Sequence, residues 1–280
     1  MNHTSDTRYS PSRILIFALL ISYALFCLFP LVLALVNSFK TRSEIFTNII
    51  ALPEHLEFGN YGRSIKSMRY FMSLLNSAFI STAGLTGIVF FSSIAGWALC
   101  RFKGKLSTAI FSLFVLSMLI PFNAIMIPLY RIATVLHLSN TLWGMGWIYS
   151  GLGVGMAVFM YHGFVKGIPL DLEDAARIDG CNLLMTFKNV VFPLLLPITA
   201  TIGIMNLLWM WNDFLLPLIM LQSPSRYTLL LSTNMLFGKY ASDWPAILSA
   251  LILSALPMII VYVLLQKHII KGITEGALKG

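Results

Sequence analysis

Few side chains in this sequence are of types that do chemistry, and their spacing argues against a catalytic site. The three cysteines, at 27, 100 and 181, share no close spacing with one another or with histidine, so neither a disulfide framework nor a metal site is expected. The five histidines fall in tails, loops or near the ends of apolar segments. Gly104-Lys105 is followed by Leu106 and lacks the earlier glycine of a phosphate-binding loop. We therefore expect no catalytic residue, no metal and no cofactor in this chain.

The composition indicates that the chain lies in lipid. Of its 280 residues, 58% are hydrophobic and 11% are charged, whereas soluble proteins are roughly half apolar and a quarter charged. The 19 Lys and Arg residues outnumber 11 acids, but they are scattered singly and form no basic face. Nucleic acid is therefore not an expected partner.

Six apolar segments are long enough, or nearly so, to cross a membrane as helices, which takes about 20 residues. The predicted fold class is therefore an all-α integral membrane protein with six transmembrane helices. The first segment is longer than the apolar core of a cleaved signal peptide, so it is expected to remain as a span. The predicted spans, which follow a tail at 1–13, are 14–36, 71–98, 108–130, 142–165, 198–220 and 246–265.

The basic residues predict the orientation of these spans, because Lys and Arg concentrate in short cytoplasmic segments. Eleven of them lie on the side that also holds both termini: Arg8, Arg13, Arg101, Lys103, Lys105, Lys166, Arg177, Lys188, Lys267, Lys271 and Lys279. The other side holds eight, five of which are in the long first loop, where the rule is weak. Both termini and the loop 166–197 are therefore predicted to be cytoplasmic.

That loop contains the stretch DLEDAARIDGCNLLMTFKNVVFPLLLP at 171–197, which is unusually charged for this chain. Asp171 follows Pro169 as a candidate N-cap, and Asp174, three residues on, gives a shorter-chained version of the capping box. Gly180 is a residue that commonly ends a helix. Helical spacing places Leu172, Ala175, Ala176 and Asp179 on one small-residue face. A helix this short needs something to pack against. It is either a connector packed on its own bundle or a recognition helix for a cytoplasmic partner.

The residues of this stretch resemble a family motif. Asp174, Ala175, Ala176 and Gly180, followed by Val190, Phe192 and Pro193, are similar to the "EAA…G…I.LP" loop of ABC importer permeases. In that family the loop forms a coupling helix that sits in a cleft of the ATP-binding subunit. Asp174 stands where the family usually has Glu, and Val190 and Phe192 replace Ile and Leu. Each replacement keeps the charge sign or the apolar character.

Further segments resemble the sugar-uptake, maltose-type class of these permeases over roughly residues 10–280. They are PLYRIATVLHLSNTLWGMG at 128–146, WMWNDFLLPLIML at 209–221, YASDWPAILSALILSALP at 240–257 and HIIKGITEGALKG at 268–280. The resemblance implies a type I ABC importer permease fold with a cytoplasmic coupling helix. The chain would be the permease subunit of an ATP-driven, binding-protein-dependent importer for a sugar in a bacterial or archaeal inner membrane.

The resemblance also implies partners and a mechanism of alternating access. A second homologous permease would complete the pathway, two ATP-binding subunits would bind and hydrolyse ATP, and an extracytoplasmic solute-binding protein would deliver the solute. The coupling helix would transmit closure of the ATP-binding pair to spans four to six. The residues expected to couple to the ATP-binding subunit are Leu172, Asp174, Ala175, Ala176 and Gly180.

Two further features lie inside the spans. Asp213, beside Asn212, is the only acid in a predicted span; an acid at membrane depth either lines a wet pathway or makes a structural or partner contact. Gly151 and Gly155 have the spacing of closely packed helices, either within the bundle or against a partner, and a flexible gating point is the alternative.

Three other functions stay open. An importer of a non-sugar solute, such as a glycerol-phosphate-type compound, lies within the same class of permeases. A secondary transporter would show half-repeats and several charges in its spans. An intramembrane enzyme would need a nucleophile and base, or a metal-ligand pair, at membrane depth.

Overall fold

The structure, a computed structural model, describes residues 11–238 and 242–277, and over these residues it contains helices and no strand. The predicted tail at 1–13 therefore lies mostly outside the described residues, as do residues 278–280. The α-helices are α1 Pro11–Asn37, α2 Arg42–Thr47, α3 Gly59–Ser67, α4 Tyr70–Arg101, α5 Lys105–Ser117, α6 Phe122–Val135, α7 Leu142–Val165, α8 Leu170–Ile178, α9 Leu183–Thr186, α10 Phe192–Leu194, α11 Leu196–Asn212, α12 Leu215–Met220, α13 Leu229–Ser232 and α14 Trp244–Ala277. A π-helical turn, Phe187–Val191, joins α9 to α10.

Four stretches of helix in the described residues are long and apolar enough to cross a membrane: Arg13–Asn37, Tyr70–Arg101, Leu142–Val165 and Trp244–Leu264. Two more qualify only as bent pairs. α5 and α6 meet at 105°, and the helical run Leu183–Leu194 meets α11 at 72°. Six spans result if each bent pair is one span.

The bend between α5 and α6 lies inside the predicted span 108–130, whereas the bend before α11 lies just ahead of the predicted span 198–220, which is itself interrupted between α11 and α12. Prolines lie at both bends. Pro121 is the N-cap of α6, and Pro197 occupies the first turn of α11. A proline has no N–H to continue the hydrogen-bonding of a preceding helix, and its ring clashes with the preceding turn. A hydropathy pattern registers the apolar run on both sides of such a break and does not register the bend.

One compact unit consists of Met1–Ser67 and Met235–Leu253. Within it, buried and exposed polar side chains hydrogen-bond the residues after α1 to one another. Lys40 is fully buried and its Nζ donates to the carbonyls of Asn48 and Ile49, at 3.0 and 3.2 Å. Glu44 accepts from the hydroxyl and the amide of Thr41, both at 2.7 Å, and these hydrogen bonds lower the pKa of Glu44 to about 2. These hydrogen bonds hold the segment that immediately follows the first span.

The second unit, Met68–Asn234 and Ser254–Gly280, has its core where α4 and α7 pack along each other. Glycines permit the close approach: a Cβ on Gly96 would lie 2.6 Å from Cβ of Tyr161. A Cβ on Gly146 would lie 2.8 Å from Cβ of Ala83. The two helices therefore fit together only with small residues at these points.

The paired glycines singled out in α7 behave differently from each other. Gly155 packs closely on α5, since a Cβ there would lie 2.6 Å from Oγ of Ser117. Gly151 has open space around it within the described part of the chain, so it does not contribute to packing within the bundle. For Gly151 the expectation of a contact with a partner stays a prediction.

Candidate functional site

α8 occupies the position expected for the coupling helix. Pro169, at φ −57° and ψ 135°, is its N-cap residue and caps it without a side-chain hydrogen bond. Asp171 is therefore not the N-cap as expected, because Leu170 already takes the first helical position. Asp171 and Glu173 lie in the first turn, where negative charge favours the helix dipole.

α8 ends just before Gly180, as predicted, and the φ of Gly180 is +86°. The amide of Cys181 bonds to the carbonyl of Ala176 at 2.9 Å, and the amide of Gly180 bonds to the carbonyl of Arg177 at 3.0 Å. This pair of bonds is the Schellman motif, which satisfies the last carbonyls of a helix and requires the left-handed conformation that glycine adopts easily. The helix is thus closed firmly at Gly180.

The two sides of α8 have different surroundings. Leu172, Asp174, Ala175 and Ile178 are exposed, and Gly180 beyond the helix end is exposed too. Glu173 is fully buried and Ala176 is 6% exposed, so these two residues face the protein itself. Of the residues expected to contact the ATP-binding subunit, Ala176 is therefore the exception. Helical spacing had grouped Ala176 with Ala175, but the buried side of α8 runs through residues 173 and 176. We call the side with Leu172, Asp174, Ala175 and Ile178 the exposed face of α8.

Asp174 does not form the expected capping box. Its carboxylate instead accepts from Arg177, one turn along the same helix, at 2.8 Å. Both side chains are half exposed, and such surface pairs contribute about 0–1 kcal/mol. The pair lies on the exposed face of α8 and does not attach the helix to another element.

The buried side of α8 is attached to the end of α4 by an ion pair. Nε of Arg101 lies 2.7 Å from Oε1 of Glu173, and Nε1 of Trp97 donates to Oε2 at 3.1 Å. A second guanidinium nitrogen of Arg101 donates to the carbonyl of Ile168 at 2.8 Å. Removing one partner of a buried pair typically costs about 3–5 kcal/mol, because the other charge is left uncompensated.

Sequence reasoning missed this ion pair. Arg101 was counted only as a charge that sets the orientation, and Glu173 was not singled out beside the motif residues. A partial signal exists, because Trp97 and Arg101 are four residues apart and so share one face of a helix. Nothing local indicates that this face meets a residue 72 positions away.

The chain after α8 continues the motif through the π-helical turn. Phe187 packs on Trp97 with ring centroids 5.3 Å apart, and on Phe192 at 5.9 Å. The buried residues around them form one core cluster with Tyr161 and Val191. Of the apolar positions of the motif, Phe192 packs against this cluster and Pro193 is exposed. π-Helical turns of this kind occur often at functional sites.

Asp213 lies at the break between α11 and α12. Its Oδ1 accepts from the amides of Leu215 and Leu216, at 3.0 and 3.3 Å, and its Oδ2 accepts from the hydroxyl of Tyr149 at 3.0 Å. Asn212 is exposed and donates to the carbonyl of Leu208 in the preceding turn. The contacts of Asp213 are those of a helix cap tied to α7, which favours the structural alternative over a pathway role.

A cavity of about 390 Å³ lies between α5, α7 and α11. Its polar groups are Ser117 and Asn206, and Trp209 forms part of its wall. Trp209 packs edge-on against Tyr149, at 5.4 Å between ring centroids, and Tyr149 is the partner of Asp213. The lining residues are Ser117, Met118, Leu152, Gly153, Met156, Met205, Asn206 and Trp209.

Comparisons with known proteins agree on one family. Residues 88–275 match the family described as binding-protein-dependent transport system inner membrane component. The chain is 37% identical over 250 residues to the probable starch degradation products transport system permease protein of Thermoanaerobacterium thermosulfurigenes, covering 89% of this chain and 91% of that protein. It is 33% identical to the melibiose/raffinose/stachyose import permease protein of Bacillus subtilis, covering 90% and 91%.

Two further matches extend over nearly the whole length. The arabinooligosaccharides transport system permease protein of Bacillus subtilis is 32% identical, with 98% of each chain covered. A chain from the crystal structure of a bacterial ABC transporter involved in the import of the acidic polysaccharide alginate superposes with a TM-score of 0.77. That superposition covers 92% of this chain and 98% of that one, at 23% identity. It supports the fold.

Proposed function

Since the chain belongs to the family of binding-protein-dependent transport system inner membrane components, we propose that it is the permease subunit of an ABC importer for an oligosaccharide or related carbohydrate. The full-length similarity to permeases for starch products, raffinose-type sugars and arabinooligosaccharides carries this proposal. It favours a sugar over a glycerol-phosphate-type solute. The family match also removes the reason to keep a secondary transporter or an intramembrane enzyme.

ATP hydrolysis belongs to partner subunits in this proposal. Two ATP-binding subunits dock on cytoplasmic coupling helices, of which α8 is one, and their closure moves α8. The exposed face of α8 supports this role, because Leu172 and Ile178 are large apolar side chains left uncovered, at 44% and 86% exposure. Leu172, Asp174, Ala175 and Gly180 are the proposed contacts.

A second, homologous permease completes the pathway, and an extracytoplasmic solute-binding protein delivers the sugar. α1 supports an association within the membrane, because its most apolar window has no buried residue within the described part of the chain. Lipid or a second permease can cover such a helix. Both termini and α8 are on the cytoplasmic side in this arrangement, as the basic residues predict.

For the solute, the cavity between α5, α7 and α11 is the proposed contact region on this subunit. It combines an indole ring at Trp209 with hydrogen-bonding groups at Ser117 and Asn206. Sugars present both an apolar ring face and hydroxyl groups, so this combination suits them. Asp213 supports the wall of this region through Tyr149 and Trp209.

Uptake by the reconstituted complex tests the proposal. The permease, its partner permease and the ATP-binding subunits are placed in liposomes, with the cognate binding protein outside. The solutes offered are radiolabelled maltotriose, raffinose, arabinotriose and glycerol 3-phosphate. We expect one of the oligosaccharides to accumulate only when ATP is enclosed. Accumulation of glycerol 3-phosphate alone, or uptake that does not depend on ATP, would contradict the proposal.

A further inference from the structure

The buried side of α8 carries a charge that the proposed docking does not use. Glu173 is fully buried, so an ATP-binding subunit seated on the exposed face of α8 does not touch it. Both of its carboxylate oxygens have donors, Arg101 on one and Trp97 on the other. A buried charge is costly unless it is paired and hydrogen-bonded, and Glu173 has both an ion pair and a further hydrogen bond.

The donors of Glu173 both come from the cytoplasmic end of α4. Arg101 is the last residue of that helix, and Trp97 lies one turn before it. Arg101 also holds the carbonyl of Ile168, in the loop that leads into α8. The end of α4 is therefore bonded both to the first turn of α8 and to the loop that precedes it.

We propose that Trp97, Arg101 and Glu173 form an anchor that fastens α8 to α4, so that a displacement of α8 is passed to α4, the second span. The inference rests on the proposed function and adds a route to it. The family resemblance implies that spans four to six re-orient, and α8 is connected to these spans through the chain itself. The anchor gives α8 a direct attachment to a span that is distant from it in sequence.

The packing of α4 carries the displacement further. α4 has 32 residues, which makes it about 48 Å long at 1.5 Å per residue. It meets α7 at glycines along this length: a Cβ on Gly84 would lie 3.1 Å from Cβ of Tyr149, and one on Gly96 would lie 2.6 Å from Cβ of Tyr161. Hydroxyl contacts add to this seam, since Ser150 donates to the carbonyl of Gly84 at 3.1 Å. A tightly packed seam transmits movement because it has little free space to absorb it.

A second ion pair supplies a control for the anchor. Nε of Arg63 lies 3.2 Å from Oδ2 of Asp243, and both side chains are about half exposed. Neither residue lies on α8 or α4, so breaking this pair removes an ion pair without touching the anchor or the exposed face of α8. A variant at Arg63 therefore separates the loss of an ion pair from the loss of the anchor.

The test follows movement of α4 in the assembled complex. The native cysteines are replaced by serine, and Thr86→Cys places a thiol on an exposed position of α4. Its labelling by a fluorescent maleimide is compared with and without ATP plus orthovanadate, in parallel with the ATPase rate. We expect the parent and the Arg63→Gln control to show the same nucleotide-dependent change in labelling rate. In Glu173→Gln that change should fall by roughly tenfold, within the range typical of coupling between sites, while ATP is still hydrolysed.

A full labelling response in assembled Glu173→Gln complexes would overturn the inference. If that variant does not assemble, the double variant Arg101→Cys/Glu173→Cys decides, treated with a cleavable bifunctional thiol reagent. We expect the response to appear after cross-linking and to disappear when the link is cleaved; a response that the link does not alter would overturn the inference. A parent complex without ATP hydrolysis would instead overturn the proposed function, independently of the variants.

Discussion

At the scale of single residues, the contacts of Asp213 favour a structural role for the acid that lies in a predicted span. Its two oxygens serve three donors, the amides of Leu215 and Leu216 and the hydroxyl of Tyr149. The two amides belong to the first turn of α12, where they have no acceptor within the helix, and Tyr149 is fully buried. The acid is therefore accounted for by the break between α11 and α12.

This account predicts a graded effect of substitutions at Asp213. Asp213→Ala removes the cap, which typically costs about 0.5–2 kcal/mol, and leaves the buried hydroxyl of Tyr149 without its partner. Asp213→Asn keeps a cap oxygen for α12, so its cost should be smaller. Tyr149→Phe should cost about 0.6 kcal/mol, the average for hydrogen bonds between membrane helices. Thermal denaturation of the purified complex measures all three variants. Loss of uptake by Asp213→Asn at normal stability would indicate a pathway role instead.

Residue types along the chain identified the motif but could not reveal the anchor. Asp174, Ala175 and Gly180 were identifiable because their spacing within a few turns is itself informative. Glu173 and Arg101 pair across 72 positions, and only the packing of α8 under the end of α4 brings them together. The role of Arg101 was therefore assigned from the positive-inside rule alone.

At the scale of elements, local signals predicted where α8 lies better than which side of it faces outward. Proline before the helix and glycine after it mark both ends within one or two residues, because each acts through its own backbone. The choice between Ala175 and Ala176 for the exposed face depends on what α8 packs against. The same limit applies to the bends at Pro121 and Pro197, because a proline predicts a break but not its angle.

α8 itself provides the test of its two sides. Ala175→Trp changes the exposed face, so the permease should assemble with its partner permease but bind the ATP-binding subunits less tightly, at a typical overpacking cost of about 1–3 kcal/mol. Ala176→Trp forces a large ring into the protein itself, so the yield of folded permease should fall. Pull-down of the ATP-binding subunits, normalised to permease recovered from membranes, separates the two effects. The assignment of sides would be wrong if Ala176→Trp were recovered normally and Ala175→Trp were not.

A third variant tests the end of the helix. Gly180 has φ +86°, where a β-branched residue is strained by about 1–3 kcal/mol. Gly180→Val should therefore weaken coupling, because α8 would end differently, whereas Gly180→Asn should be nearly neutral, since asparagine tolerates this conformation. ATP-dependent uptake compares the two. Equal uptake by both variants would show that the conformation of residue 180 is unimportant.

At the scale of the whole molecule, composition predicted the class of protein and the family resemblance predicted its fold. A hydrophobic fraction of 58% with 11% charged residues is typical of a chain that lies in lipid. The helical structure of the described residues and the match to an importer chain confirm the predicted fold class. The solute cannot be derived from the sequence in the same way, because hydropathy does not encode which hydroxyl pattern a cavity accepts. The orientation of the chain across the membrane stays a prediction, which rests on 11 basic residues in short segments.

The measurement that tests the central claim most directly is photo-cross-linking from the exposed face of α8. A photoreactive phenylalanine is placed at Leu172 or Ile178 in intact membranes that contain the complete complex, and at Ile50, in the predicted extracytoplasmic loop, as the control. All three side chains are exposed in the structure. We predict adducts with the ATP-binding subunit from positions 172 and 178 and none from position 50. An assembled complex that gave no such adduct from either position of α8, or gave one from position 50, would contradict the assignment of α8 as the coupling helix.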